Sequence, residues 1–182
     1  MTLDHWQSLG DEILTRYKVF QVRKSRRRSP RTGADIGFFL IDTPDWVNVV
    51  AITDDDRIVL VRQYRHGSGK VSLEIPGGIM DPHETEPAAA AARELREETG
   101  FAAERIEQLG VMNPNPALFT NRCTAFLATG CRRVGDLQMD PGEDLEVVTV
   151  PVAELDELVR TGAIDHALVL AALAFWRART SP

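Results

Sequence analysis

Short β-rich runs alternate along the chain with longer stretches whose apolar residues recur at helical spacing. Residues 47–52, 58–61, 71–75, 108–112, 123–128 and 146–150 carry the β-branched signature of strands, several of them bounded by Gly, Pro or Asp. Upstream, residues 17–22 and 35–41 predict another pair of strands, and the Pro- and Gly-bearing basic run over 26–33 reads as an exposed turn between them. Residues 6–16 give only a weak helical or irregular start. Three helices are predicted, over 87–99, about 152–160 and about 165–177. The first has Pro87 near its start and Gly100 just past its end, and the third opens on Asp165 as N-cap. Asp54, Asp55 and Asp56 sit between two strand runs, so they read as a hairpin tip before they read as a metal site.

Composition narrows the class. A chain of 182 residues, 43% hydrophobic and 26% charged, suits one globular domain rather than a fibre or a disordered segment. No linker separates two domains. Residues 1–45 read as a strand extension ahead of a core over 46–182. The longest apolar stretch, 167–176, is ten residues, too short for a membrane span. The N-terminus lacks the basic start and apolar run of a signal peptide, and Cys123 and Cys131 lack metal-ligand spacing. A cytoplasmic protein with no membrane partner is expected. The formal charge of −6 argues against a general nucleic-acid binder. It leaves room for a phosphorylated substrate, provided that arginines, backbone donors or a divalent metal meet the phosphates.

The chemistry concentrates in one segment. Gly77-Gly78 and Glu84 precede an alanine run, then Arg93-Glu94-Leu95-Arg96-Glu97-Glu98-Thr99-Gly100-Phe101. Glu94, Glu97 and Glu98 share one helix face at i, i+3 and i+4. Like charges so spaced cost a helix about 0.2–0.5 kcal/mol per pair, and the helix dipole disfavours anions in the last turn by about 0.3–1 kcal/mol each. Such a local violation implies a compensating partner, and clustered carboxylates are ligands for hard cations such as Mg²⁺ or Mn²⁺. The glycines allow close backbone approach to a ligand, and Arg93 is placed to reach back to Glu84.

From Gly78 to Phe101 the chain resembles the Nudix box of the Nudix hydrolases, G-x5-E-x7-R-E-U-x-E-E-x-G-U with U apolar. Every fixed residue type is present, but eight residues rather than seven separate Glu84 from Arg93. The extra one falls at Thr85-Glu86-Pro87, ahead of the regular helix. The segments Val61-Arg62-Gln63-Tyr64-Arg65, Leu73-Glu74-Ile75-Pro76-Gly77-Gly78 and Asn113-Pro114-Asn115-Pro116 are similar to the ADP-ribose and nucleotide-sugar pyrophosphatase branch.

The resemblance implies an α/β fold, an α/β/α sandwich with a mixed sheet and an N-terminal antiparallel strand extension that dimerises. It implies Mg²⁺ or Mn²⁺ held by Glu94, Glu97, Glu98 and the Gly77 carbonyl, with Glu143 as a further ligand. Arg93 and Glu97 join the catalytic group, and Glu143, Asp140 or Glu146 supplies the base. Arg65 is matched to a phosphate-contacting arginine, although a strand-surface ion pair competes with that reading. Trp46 either stacks on a base or fills the core, and Phe119 lines the sugar side. The activity implied is hydrolysis of a nucleoside diphosphate sugar such as ADP-ribose. GDP-mannose-type hydrolysis, nucleoside triphosphate hydrolysis and non-catalytic nucleotide sensing are the alternatives.

Overall fold

The most apolar part of the chain forms the middle of the main sheet. In the computed structural model, which describes residues 5–139, 142 and 144–180, β4 (Trp46–Thr53) runs antiparallel to β5 (Arg57–Arg65) and parallel to β10 (Cys123–Arg133). On the β5 side lie β6 (Lys70–Glu74) and β11 (Leu145–Pro151). The short β7 (Gly77–Ile79) pairs with β4, and β8 (Phe101–Ala102) and β9 (Arg105–Met112) pair with β10. A parallel pair needs a long crossover. The chain between β4 and β10 provides it and includes α1 (Pro87–Thr99).

Alternation along the central strands puts a helical layer on each face. Val47, Val49, Ala51 and Val59 point to Ala90, Ala91 and Leu95 of α1. Val50, Ile58 and Leu60 point the other way, to Leu155 of α2 (Leu155–Arg160) and to Val169, Ala172 and Leu173 of α3 (Ala167–Thr180). Full burial of such a Val, Leu or Ile side chain contributes about 1.5–3 kcal/mol. This is the α/β/α sandwich with a mixed sheet. Two helix starts differ from expectation: residues Val152–Glu154 form a 3-10 turn ahead of α2, and α3 begins at Ala167, where His166 rather than Asp165 accepts the Leu168 N–H at 3.3 Å.

Residues 45–112 and 123–180 form this unit; residues 5–44 and 113–122 form another. The second unit is an antiparallel meander of β1 (Gln7–Arg16), β2 (Gln21–Arg28) and β3 (Asp35–Asp42). Its residues 113–122 run beside β3, with the Ile41 N–H donating to the Leu118 carbonyl at 2.9 Å and the Thr120 N–H to Ile41 at 3.1 Å. Three expectations are corrected here. The weak start over 6–16 is a strand, hidden in the pattern by register shifts at Ser8/Gly10 and Ile13/Thr15 and by Gly10 at φ 121°. Residues Tyr17–Phe20 are a turn, not a strand, and the basic run belongs to β2 as far as Arg28. Arginines suit that strand because Asp11, Asp42 and Asp35 pair with Arg23 and Arg28 across the ladder.

Candidate active site

Helix α1 is built to press against the sheet. Its alanines have high helix propensity and no bulk, so Ala90 and Ala91 are fully buried. Pro87 opens it, and Gly100 closes it in the left-handed region at φ 71°, donating its N–H to Arg96. The stripe that buries Leu95 also buries two charged residues: Glu94 is 7% exposed and Glu98 4%.

These carboxylates meet the glycines of β7. The Gly77 N–H donates to Glu98 Oε2 at 2.9 Å. A methyl group at Gly78 would lie 2.5 Å from Glu94 Oε1, so a glycine is what lets that carboxylate reach the strand. At Gly77 a Cβ would sit 2.2 Å from the Val47 carbonyl oxygen. Arg93 latches the loop to the helix. Its guanidinium donates to Glu84 at 2.9 and 3.0 Å, to Glu97 at 2.9 Å and to the Ile79 carbonyl at 3.2 Å, and it lies 3.0 Å from Glu94. The Asp81 N–H donates to Glu84 at 2.8 Å. Hydrogen bonding from Arg93 holds the Glu84 carboxyl below its ordinary pKa and raises that of Arg93. The longer spacing between Glu84 and Arg93 therefore leaves their contact intact.

The donor set suits a hard divalent cation: two carboxylates shielded from water, one turn apart, beside backbone cleared of side chains. Glu97 turns toward Arg93, and among the described residues no three His, Cys, Asp or Glu side chains close on a single point. Glu94, Glu98 and the backbone of β7 form the buried part of the candidate site, and Glu97 is its more exposed member.

Arg65, Glu146 and Phe119 lie on other segments, and Trp46 lies beside β7. Arg65 forms a two-pronged ion pair with Glu74, both contacts at 2.8 Å. Burial pushes the Glu74 carboxyl up, but the hydrogen bonds and charge of Arg65 outweigh it and leave it lowered. Glu146 lies on β11 opposite Arg62 in an exposed ion pair at 3.2 Å, not beside the box glutamates. Trp46 begins β4 between Ile79 and Cys123, half-buried, with its indole nitrogen inside. Phe119 belongs to the segment bridged to Ile41. Glu143 and Asp140 lie outside the described residues. Glu74, as the partner that fixes Arg65, was not anticipated; a charged residue among apolar neighbours on a strand is the signal for it. The residues after β10 are another omission: the Gln138 N–H caps the Glu97 carbonyl at 2.8 Å. No residue type announces a backbone donor.

Comparisons with known proteins identify the family. The NUDIX domain model matches residues 43–173. The chain is 30% identical to the ADP-ribose pyrophosphatase of Mycobacterium tuberculosis, over 91% of this chain and 80% of that protein. It is 28% identical to the ADP-ribose pyrophosphatase of Bacillus subtilis, over 75% and 74%. A solved structure described as an ADP compounds hydrolase superposes with a TM-score of 0.85 at 26% identity, covering 98% of this chain and 95% of that one. The chain belongs to the Nudix family of hydrolases, enzymes that act on phosphoric anhydrides. Among the described residues no helix is long and apolar enough to cross a membrane.

Proposed function

We propose that the protein is a divalent-metal-dependent pyrophosphohydrolase of ADP-ribose or a closely related nucleoside diphosphate sugar, releasing a nucleoside monophosphate and a sugar phosphate. The observation that carries the reading is the buried pair Glu94 and Glu98 against the backbone of Gly77 and Gly78. Water adds across the P–O–P bridge: its oxygen bonds to one phosphorus, the bridging oxygen leaves with the other, and a proton passes to a base. Mg²⁺ or Mn²⁺, when bound, neutralises the diphosphate and lowers the pKa of water. Glu94, Glu98 and the Gly77 carbonyl hold the ion in this reading, with Glu97 and Glu143 completing its shell. Arg93 keeps the loop and the helix together, and a loop acid, Glu143, Asp140 or Glu146, is the base. Arg65, fixed by Glu74, faces the phosphates.

The activities of the similar proteins favour an adenosine diphosphate substrate over GDP-mannose or a nucleoside triphosphate. A homodimer joined through the N-terminal strands and a cytoplasmic location complete the proposal; two buried free cysteines fit a reducing compartment. The test is a panel of ADP-ribose, GDP-mannose, UDP-glucose and nucleoside triphosphates, assayed for monophosphate release with Mg²⁺, with Mn²⁺ and with chelator. ADP-ribose is expected to give the highest kcat/KM and chelator to stop turnover. Full turnover under chelation overturns the metal reading.

A further inference from the structure

The last turn of α1 carries two of the proposed ligands, Glu97 and Glu98, where a helix holds its end least firmly. The final carbonyls of a helix have no intrahelical partners, and their partial negative charge adds to that of the carboxylates. In this chain the missing donors come from outside the helix. After β10 the chain turns across the helix end: the Val134 N–H donates to the Gly100 carbonyl at 2.8 Å, the Gly135 N–H to the same oxygen at 3.3 Å, and the Gln138 N–H to the Glu97 carbonyl at 2.8 Å. The crossing is close. A Cβ on Gly100 would stand 2.3 Å from the Gly135 carbonyl oxygen, so the box glycine clears a path for this segment as well as adopting a positive φ.

We propose that residues 134–138 are a strap that holds the last turn of α1 in its metal-binding arrangement, with the Gln138 backbone N–H as the positioning group. The inference rests on the assignment of Glu97 and Glu98 as ligands. The strap acts on the glutamates through the backbone to which they are attached. It also supplies three N–H donors to carbonyl oxygens at the helix end. Coupling of this kind is reciprocal: if the docked strap favours the metal, bound metal must favour the docked strap.

The test compares Gln138→Pro, which deletes the donor, with Gln138→Ala, which keeps it and removes only an exposed side chain. Mn²⁺ affinity is measured by calorimetry on protein stripped of metal, alongside kcat, KM and the metal-free thermal midpoint. Gln138→Pro is expected to weaken Mn²⁺ about tenfold and to lower kcat at subsaturating metal, with KM for the substrate little changed. Gln138→Ala is expected to match the wild type. Amide hydrogen exchange on the unmodified protein provides a measurement that no folding defect can confound: saturating Mg²⁺ is expected to slow exchange at Val134 and Gln138 severalfold. Wild-type Mn²⁺ affinity in a folded Gln138→Pro variant, or exchange at both amides unmoved by Mg²⁺, overturns the strap while leaving the ligand assignment standing. Failure of the wild type to bind Mn²⁺ removes the ligand assignment itself, and this inference with it.

Discussion

Glu98 shows how one side chain separates a structural from a chemical role. Its carboxylate accepts the Gly77 N–H and is almost wholly buried. Glutamine at this position keeps an acceptor for that N–H, while the lost charge relieves repulsion near the helix terminus by about 0.3–1 kcal/mol. Glu98→Gln is therefore expected to leave the metal-free thermal midpoint within a few degrees of wild type. Turnover should fall about a hundredfold or more, because charge stabilisation by the ion contributes several kcal/mol and each 1.4 kcal/mol is a factor of ten. A lowered midpoint with turnover preserved would show the helix face to be structural. Glu84 supplies a pH signature. Arg93 holds its folded pKa below the ordinary 4.5, so the unfolded chain takes up the proton first as pH drops. The stabilisation is full above the ordinary carboxylate range and is lost as pH falls through the lowered folded value. The midpoint gap between wild type and Glu84→Gln is expected to be largest near neutral pH and to close as pH falls below the ordinary 4.5. These residues were legible beforehand because three like charges on one helix face violate local preference, and only a ligand or a cationic latch explains them. Arg65 was less so, since a guanidinium suits Glu74 as well as it suits a phosphate.

The segment joining β7 to α1 absorbs an irregularity in the box without losing its latch. Thr85 is exposed and Glu86 is the N-cap residue, in extended conformation and with no side-chain cap bond. The extra residue therefore lies where little depends on it, between the Glu84 turn and the first helical N–H. Deleting Thr85 restores the seven-residue spacing, and the variant is expected to keep kcat within a fewfold and its midpoint within a few degrees, as short changes in exposed loops do. Loss of folding would mean that the loop is under tighter constraint than its burial indicates; calorimetry and a rate assay decide it. The same reasoning explains which strands were readable. β4 and β5 announce themselves because residues 49–51 and 58–61 are apolar and buried on both faces. β1 does not, because two register shifts break its alternation and most of its side chains are exposed. β2 hid its identity in arginines, which are strand residues only once Asp11, Asp35 and Asp42 are known to lie opposite.

Assembly is where sequence pattern says least, because exposed apolar residues become visible only when the strands are registered. In the N-terminal meander, Ile36 and Phe38 of β3, Ile13 of β1 and Trp6 all carry more than 40% or close to 40% exposure, and Trp6 packs edge-on against Phe38 at 5.3 Å. The register puts Ile13, Ile36 and Phe38 on one side of the sheet with Arg23, Ser25 and Arg27, and Phe39 on the other. Trp6, Ile13, Ile36 and Phe38, exposed on one side of a small sheet with β1 as an edge strand, favour burial against another chain. A two-fold interface lets a second copy cover that side with its own equivalent. Light scattering at working concentration is expected to give twice the 20.2 kDa chain mass. Phe38→Asp is expected to shift that mass towards a single chain, since a carboxylate there faces desolvation in the dimer but none in the monomer. Its far-ultraviolet circular dichroism should stay unchanged, because Phe38 contributes an exposed side chain and not a core one. A monomeric wild type with full activity, or a Phe38→Asp variant that remains dimeric, would move the interface away from this sheet.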